Sequence, residues 1–199
     1  MNEITIIRIC GEHDADLCAE IEQTLRRLTG KGNFHIENFK VNDWNRDLPP
    51  WESAPVFGDQ GFGSGAKETL EEVLKFASKL EGDCYLGGYS LAGLFTLWAS
   101  YQTHVFKGVA SVSPSVWYPG WIPYAKENQC LAKKVYLSLG DKEEKTRNKV
   151  MATVGDAIKE QKELLDNASV LTRLDFNLGN HFMDVPLRMA KGFAWLLNE

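Results

Sequence analysis

Hydrophobic and polar positions follow two alternating rhythms along the chain. Short apolar runs, ITIIRIC at 4–10, FHIENFKV at 34–41, DCYLGGY at 83–89, FKGVASVS at 106–113, KVYLSLG at 134–140 and SVLTRLDFNL at 169–178, have the length and β-branched content of strands. Between them apolar residues recur at helical spacing: ADLCAEIEQTLRRLTGKG, with acids early, arginines late and glycines closing; AKETLEEVLKFASKLEG, stopping at Gly82; LAGLFTLWASYQ; a long helix after the charged DKEEKTR and running through Lys162; and LRMAKGFAWLL near the end. Strands alternating with helices predict an α/β fold, a mostly parallel sheet of about six strands with helices on both faces. In such sheets ligands bind beyond the carboxyl ends of the strands. Two stretches fit neither rhythm. Residues 42–65 are rich in Trp, Pro and Gly, and PSVWYPGWIPY follows the fourth strand. Long irregular segments of this kind usually carry function.

The junction GGYSLAGL is where chemistry enters. Ser90 falls at the end of an apolar strand and the start of a helix, flanked by Gly88, Ala92 and Gly93. A serine hydroxyl is a weak nucleophile, and it needs both a base within reach and a backbone that presents its oxygen. A G-x-S-x-small turn between strand and helix meets the second need, because small residues let the elements pass close to a strained elbow. The competing reading is a helix N-cap serine beside packing glycines.

In hydrolases built on such an elbow the chain order is serine, acid, histidine. His13 and His35 precede Ser90, and His104 lies just past the helix that follows it, leaving His181 in the loop after the sixth strand. The acid is expected after the fifth strand, where LGDKEEKT offers Asp141, Glu143 and Glu144; Glu143 is preferred and Asp141 is second. Two oxyanion donors are also expected. The backbone N–H of Leu91 is one, and the turn CGEHD after the first strand supplies the other, with Glu12 as the choice.

With these residues in place the chain resembles the esterase D-like branch of the α/β-hydrolases, which includes feruloyl, enterochelin and S-formylglutathione esterases. The resemblance runs from Phe34 onward through DWNRDLPPW, GGYSLAGL, FKGVASVSPSVWY, LGDKEE, NHFMDVP and the closing FAWLL. It implies a nucleophile at Ser90, a carboxylate at Glu143 in G-x-x-E and a base at His181. It also implies a compact α/β-hydrolase fold in one domain over residues 1–199. This chain is shorter than most relatives, with little room for a cap domain. Substrate selection then falls to loops, and Trp44, Trp117, Tyr118 and Tyr89 are expected to line an apolar pocket, with Trp51 and Trp121 as further aromatic residues of the same loops.

Composition narrows the partners. The chain has 199 residues, 44% of them hydrophobic and 25% charged, with a net charge of −5 and no dense basic run, so neither nucleic acid nor an anionic membrane is an expected partner. No apolar run reaches the length of a membrane span, and MNEITIIRICGEHD lacks the features of a secretory signal, so a cytoplasmic location is expected. Cys10, Cys18, Cys84 and Cys130 show no metal-ligand spacing and read as reduced thiols in or near the core. The expectation is therefore a serine hydrolase acting on a small-molecule ester through an acyl-enzyme, with no metal and no cofactor. The alternative is a hydrolase-shaped binding or scaffold protein without turnover.

Overall fold

A computed structural model describes residues 3–198. These residues form one six-stranded sheet of β1 (Ile4–Cys10), β2 (Phe34–Lys40), β3 (Asp83–Tyr89), β4 (Val109–Val112), β5 (Lys134–Gly140) and β6 (Leu171–Asn177). Their order is β2-β1-β3-β4-β5-β6, and every neighbouring pair is parallel. The chain first steps outward from β1 to β2, then returns to the other side of β1 and adds strands in sequence. This reversal opens a crevice beyond the carboxyl ends of β1 and β3, the point where doubly wound sheets bind ligands.

Strand alternation divides the core in two. From β1, Ile6 faces α1 (Cys18–Thr29) and α7 (Val185–Leu197), where it meets Ile21, Leu25 and Phe193. Its neighbours Ile7 and Ile9 face the other layer, formed by α3 (Ala66–Ala77), α4 (Leu91–Gln102) and α6 (Val154–Asn167). Each of these isoleucines is at most 1% exposed, and full burial of such a side chain stabilises the fold by roughly 1.5–3 kcal/mol. Gly30 ends α1 in the left-handed region at φ 62°, its N–H donating to Arg26 O at 2.9 Å, a conformation that favours glycine.

α4 differs from an ordinary surface helix. All its residues from Leu91 to Tyr101 are buried, as a helix apolar around its whole circumference must be. It packs against β3 and β4 on one side and shares a buried cluster with residues of α3 and α6, so the elbow that begins it is seated in the core. Gln161 of α6 is also fully buried, with both ends of its amide used: Oε1 accepts from Trp121 Nε1 at 2.9 Å, and Nε2 donates to Tyr101 Oη at 2.8 Å.

Periodicity and structure differ at some boundaries. The first helix is preceded by a 3-10 turn at Glu12–Leu17, and the long helix after β5 begins only at Val154, after a 3-10 turn at Met151–Thr153, and runs on to Asn167. Both irregular aromatic segments contain short helices, α2 (Trp44–Asp47) and α5 (Trp121–Glu127). Asp43 caps α2, its carboxylate accepting from the N–H groups of Asn45 and Arg46. The four cysteines are free. Burial pushes the Cys10 thiol up to about 11 and raises the other three, which keeps them from acting as thiolate nucleophiles. No helix among the described residues is long and apolar enough to cross a membrane.

Candidate active site

Ser90 stands at the switch point, between the last residue of β3 and the first of α4. Its backbone adopts φ 60° and ψ −121°, a region costly for any residue with a Cβ and found mainly where function requires it. Close packing enforces the turn. A Cβ on Gly88 would lie 2.4 Å from Ala92 O, and one on Gly93 would lie 3.0 Å from Val112 O and 3.1 Å from Pro114 Cα. The small residues of GGYSLAGL are thus required by the passage of β3, α4 and the β4 loop around one another. Ser113, at the end of β4, is also in the left-handed region at φ 44°.

A continuous hydrogen-bonded chain runs from this elbow. Ser90 Oγ lies 2.9 Å from His181 Nε2, and His181 Nδ1 lies 2.7 Å from Glu143 Oε2. An ionised carboxylate only accepts, so the imidazole proton belongs on Nδ1, and the lone pair of Nε2 faces the serine hydroxyl. Burial pushes the Glu143 carboxyl up, but the hydrogen bond and charge of His181, the N–H of Gly140 at 2.7 Å and the hydroxyl of Ser113 at 2.8 Å outweigh it, and the net shift is downward. Glu143 is therefore an anion held under cover, its side chain only 5% exposed.

Beneath the pair lies an arginine that sequence reasoning did not single out. Arg188 of α7 is 1% exposed and donates through Nη1 to Glu143 Oε1 at 3.0 Å, Tyr89 Oη at 3.1 Å and Ser113 Oγ at 3.3 Å. Through Nη2 it donates to the carbonyls of Leu178 and Asn180, both at 2.9 Å. One guanidinium thus ties the acid to the loop that carries His181. Tyr89 adds a second tie, donating from its hydroxyl to His181 O at 2.7 Å. Gly140 makes room, since a Cβ there would lie 2.4 Å from Gly179 O and 3.0 Å from the Arg188 guanidinium.

On its open side Ser90 borders a cavity of about 320 Å³. Its apolar wall comes from Trp44, Phe57, Phe62, Leu91, Trp117 and Phe182, with Met151 of the preceding 3-10 turn and Val154 at the start of α6 closing it. Among the described residues no group of three or more His, Cys, Asp or Glu side chains is placed to hold a metal ion.

Of the residues singled out from the sequence, Ser90, His181 and Glu143 come together as one chain, while Leu91, Trp44 and Trp117 border the cavity. Asp141 has a different task, accepting from Gly179 N–H at 2.7 Å and so fixing the turn before His181, and Glu144 packs against Gly155. Glu12 lies outside the cavity lining. Its side chain is paired with Lys40, and its turn meets the cavity region through Trp44, against whose ring His13 packs at 4.6 Å between centroids. Tyr89 and Tyr118 are likewise not walls. As the last residue of β3, Tyr89 points to the α7 face, because Gly88 before it points to α4. Tyr118 is 2% exposed, donates to Trp51 O at 2.6 Å and packs behind Phe62. Trp51 and Trp121 stack on each other outside the cavity and staple the two aromatic segments together.

This sheet order, with a strained serine after β3 and a histidine loop after β6, is the α/β-hydrolase fold. Solved structures similar to the chain include esterase Pf2001 of Pyrococcus furiosus (TM-score 0.62, 9% identity, 98% of this chain and 82% of that one), a ferulic acid esterase (0.62, 14%, 98% and 83%), and the enterobactin esterase FES of Shigella flexneri (0.64, 15%, 98% and 52%). At these identities the likeness is one of fold. No protein-family model matches the sequence, and no curated protein does.

Proposed function

We propose that the protein is a carboxylic ester hydrolase that works through an acyl-enzyme on Ser90. The observation that carries this reading is the unbroken chain from Ser90 through His181 to a buried, ionised Glu143, set at the mouth of an apolar cavity. As Ser90 Oγ attacks the ester carbonyl, His181 Nε2 takes its proton, and the imidazolium that forms is stabilised by Glu143. The same proton then goes to the leaving alcohol, and water activated by His181 releases the acid. The N–H of Leu91, directly after the nucleophile, is one donor to the oxyanion. In the turn after β1 the Gly11 N–H is already held by Asp14 Oδ1 at 2.8 Å, so it is not free for the second place.

The cavity favours an uncharged, apolar acyl or alkyl group, since aromatic and aliphatic side chains dominate its wall and the acid within it carries negative charge. A small neutral ester fits this description. Fluorophosphonate labelling with mass-spectrometric mapping tests the proposal. Modification at Ser90 that disappears in His181→Ala is expected. A folded protein that takes up no label at Ser90 would turn the assignment towards a binding protein built on a hydrolase scaffold.

A further inference from the structure

The two edges of the sheet are finished differently. β2 shows His35, Glu37, Asn38 and Lys40 to solvent, the polar finish that keeps an edge strand from pairing. β6 and the residue after it leave apolar side chains in water instead: Leu171 is 60% exposed, Phe176 53% and Leu178 80%.

The backbone of β6 has an available side as well. The Leu171 N–H donates to Lys133 O at 3.0 Å, and Asn177 O accepts from Asp141 N–H at 2.8 Å, so both residues turn their polar groups inward. Strand alternation gives Arg173 and Asp175 the same inward direction and leaves the N–H and C=O groups of Thr172, Leu174 and Phe176 pointing away from β5. No strand among the described residues lies on that side.

We propose that β6 pairs with β6 of a second copy of this chain, antiparallel about a two-fold axis at Leu174. In this register the outward-facing residues meet as hydrogen-bonded pairs, Leu174 with Leu174 and Thr172 with Phe176 of the second copy. The intervening pairs, where side chains approach most closely, set Arg173 opposite Asp175 of the second copy and the reverse. Within one chain Arg173 Nε already donates to Asp175 Oδ1 at 2.8 Å, so both charges lie on one face. Pairing centred on residue 173 would oppose two arginines, and pairing centred on 175 would oppose two aspartates. The charge pattern is complementary to itself in one orientation, which is the property of an isologous interface and selects a second copy over an unrelated strand. Phe176 and Leu178 then lie at the join.

Sedimentation equilibrium across a micromolar range tests this with a charge swap. The wild-type chain is expected to run as a dimer. Arg173→Asp alone opposes aspartates, Asp175→Arg alone opposes arginines, and each is expected to run as a monomer with an unchanged far-UV circular dichroism spectrum. Their equimolar mixture restores both opposite-charge pairs and is expected to return to a dimer. Because Asp175 also accepts from Tyr136 Oη at 3.0 Å, Thr172→Pro, which removes an outward N–H and, within the chain, only the Thr172 hydroxyl's bond to Val170 O at 3.0 Å, serves as a second disruptor. A monomeric wild-type chain, a dimer indifferent to Arg173→Asp and Thr172→Pro, or a mixture that stays monomeric would each overturn the proposal.

Discussion

The two sides of Ser90 are built on opposite principles. Towards the acid, nearly every polar atom is committed: Glu143 Oε1 accepts from Gly140, Ser113 and Arg188, while Oε2 faces His181. Towards the cavity, side chains from four separate connections meet through van der Waals contact, with Phe57, Phe62 and Trp117 packed edge to face or tilted. The first arrangement has one low-energy solution, because a buried charge that loses a partner is costly. The second tolerates many, because an apolar wall can be refilled by another apolar residue. In the proposed reaction, proton transfer is thereby fixed by geometry, and the choice of ester is left to side chains that change cheaply.

Substitutions on each side should separate these roles. The largest effect is expected at the junction itself, where Ser90→Ala or His181→Ala should lower kcat/KM for a simple aryl ester by about 10⁴-fold or more with the fold retained. Glu143→Ala should follow, with a loss on the order of 10³–10⁴-fold and a larger loss than Asp141→Ala; the reverse ranking in the same assay would make Asp141 the acid. Arg188→Met tests the committed side as structure: thermal unfolding should show a loss of about 3–5 kcal/mol, since Glu143 would remain buried without its cation. Acid should act in the same direction. The Glu143 carboxyl is lowered in the fold, so its contribution is complete above the ordinary carboxylate range and fades as pH falls through the lowered value. A Tm–pH curve should accordingly be flatter on the acid side for Glu143→Gln. The smallest effect belongs to the cavity, where Trp117→Ala should raise KM by roughly 10-fold and leave kcat nearly unchanged.

What could be read from the sequence follows the range of the interactions involved. β1, β3, α4 and β5 begin and end where the apolar rhythm begins and ends, because strand and helix signals are local. The elbow was legible for the same reason, since Gly88, Ser90, Ala92 and Gly93 lie within one turn of chain. Phe57 and Phe62 were hidden in an irregular segment, and Met151 and Val154 lay in a stretch whose periodicity indicated only a helix. Their meeting depends on tertiary packing. Arg188 had a signal that went unused: it lies on the stripe of α7 that buries Met189, Gly192, Phe193 and Leu196, and a cation there requires a buried anion. Tyr89 adjoins Ser90 in sequence yet lies away from the cavity, because strand alternation sends neighbouring side chains to opposite faces and Tyr89 to that of α7.

The left-handed φ of Ser90 also bears on how such a chain would drift. Holding a serine in that conformation costs on the order of 1–3 kcal/mol, and glycine would relieve much of it. Ser90→Gly should therefore melt at a higher temperature than the wild type while hydrolysing nothing. In a lineage released from any need for hydrolysis, stability would reward the very substitution that removes the proposed nucleophile. A serine kept at this position is thus a residue that folding alone would discard.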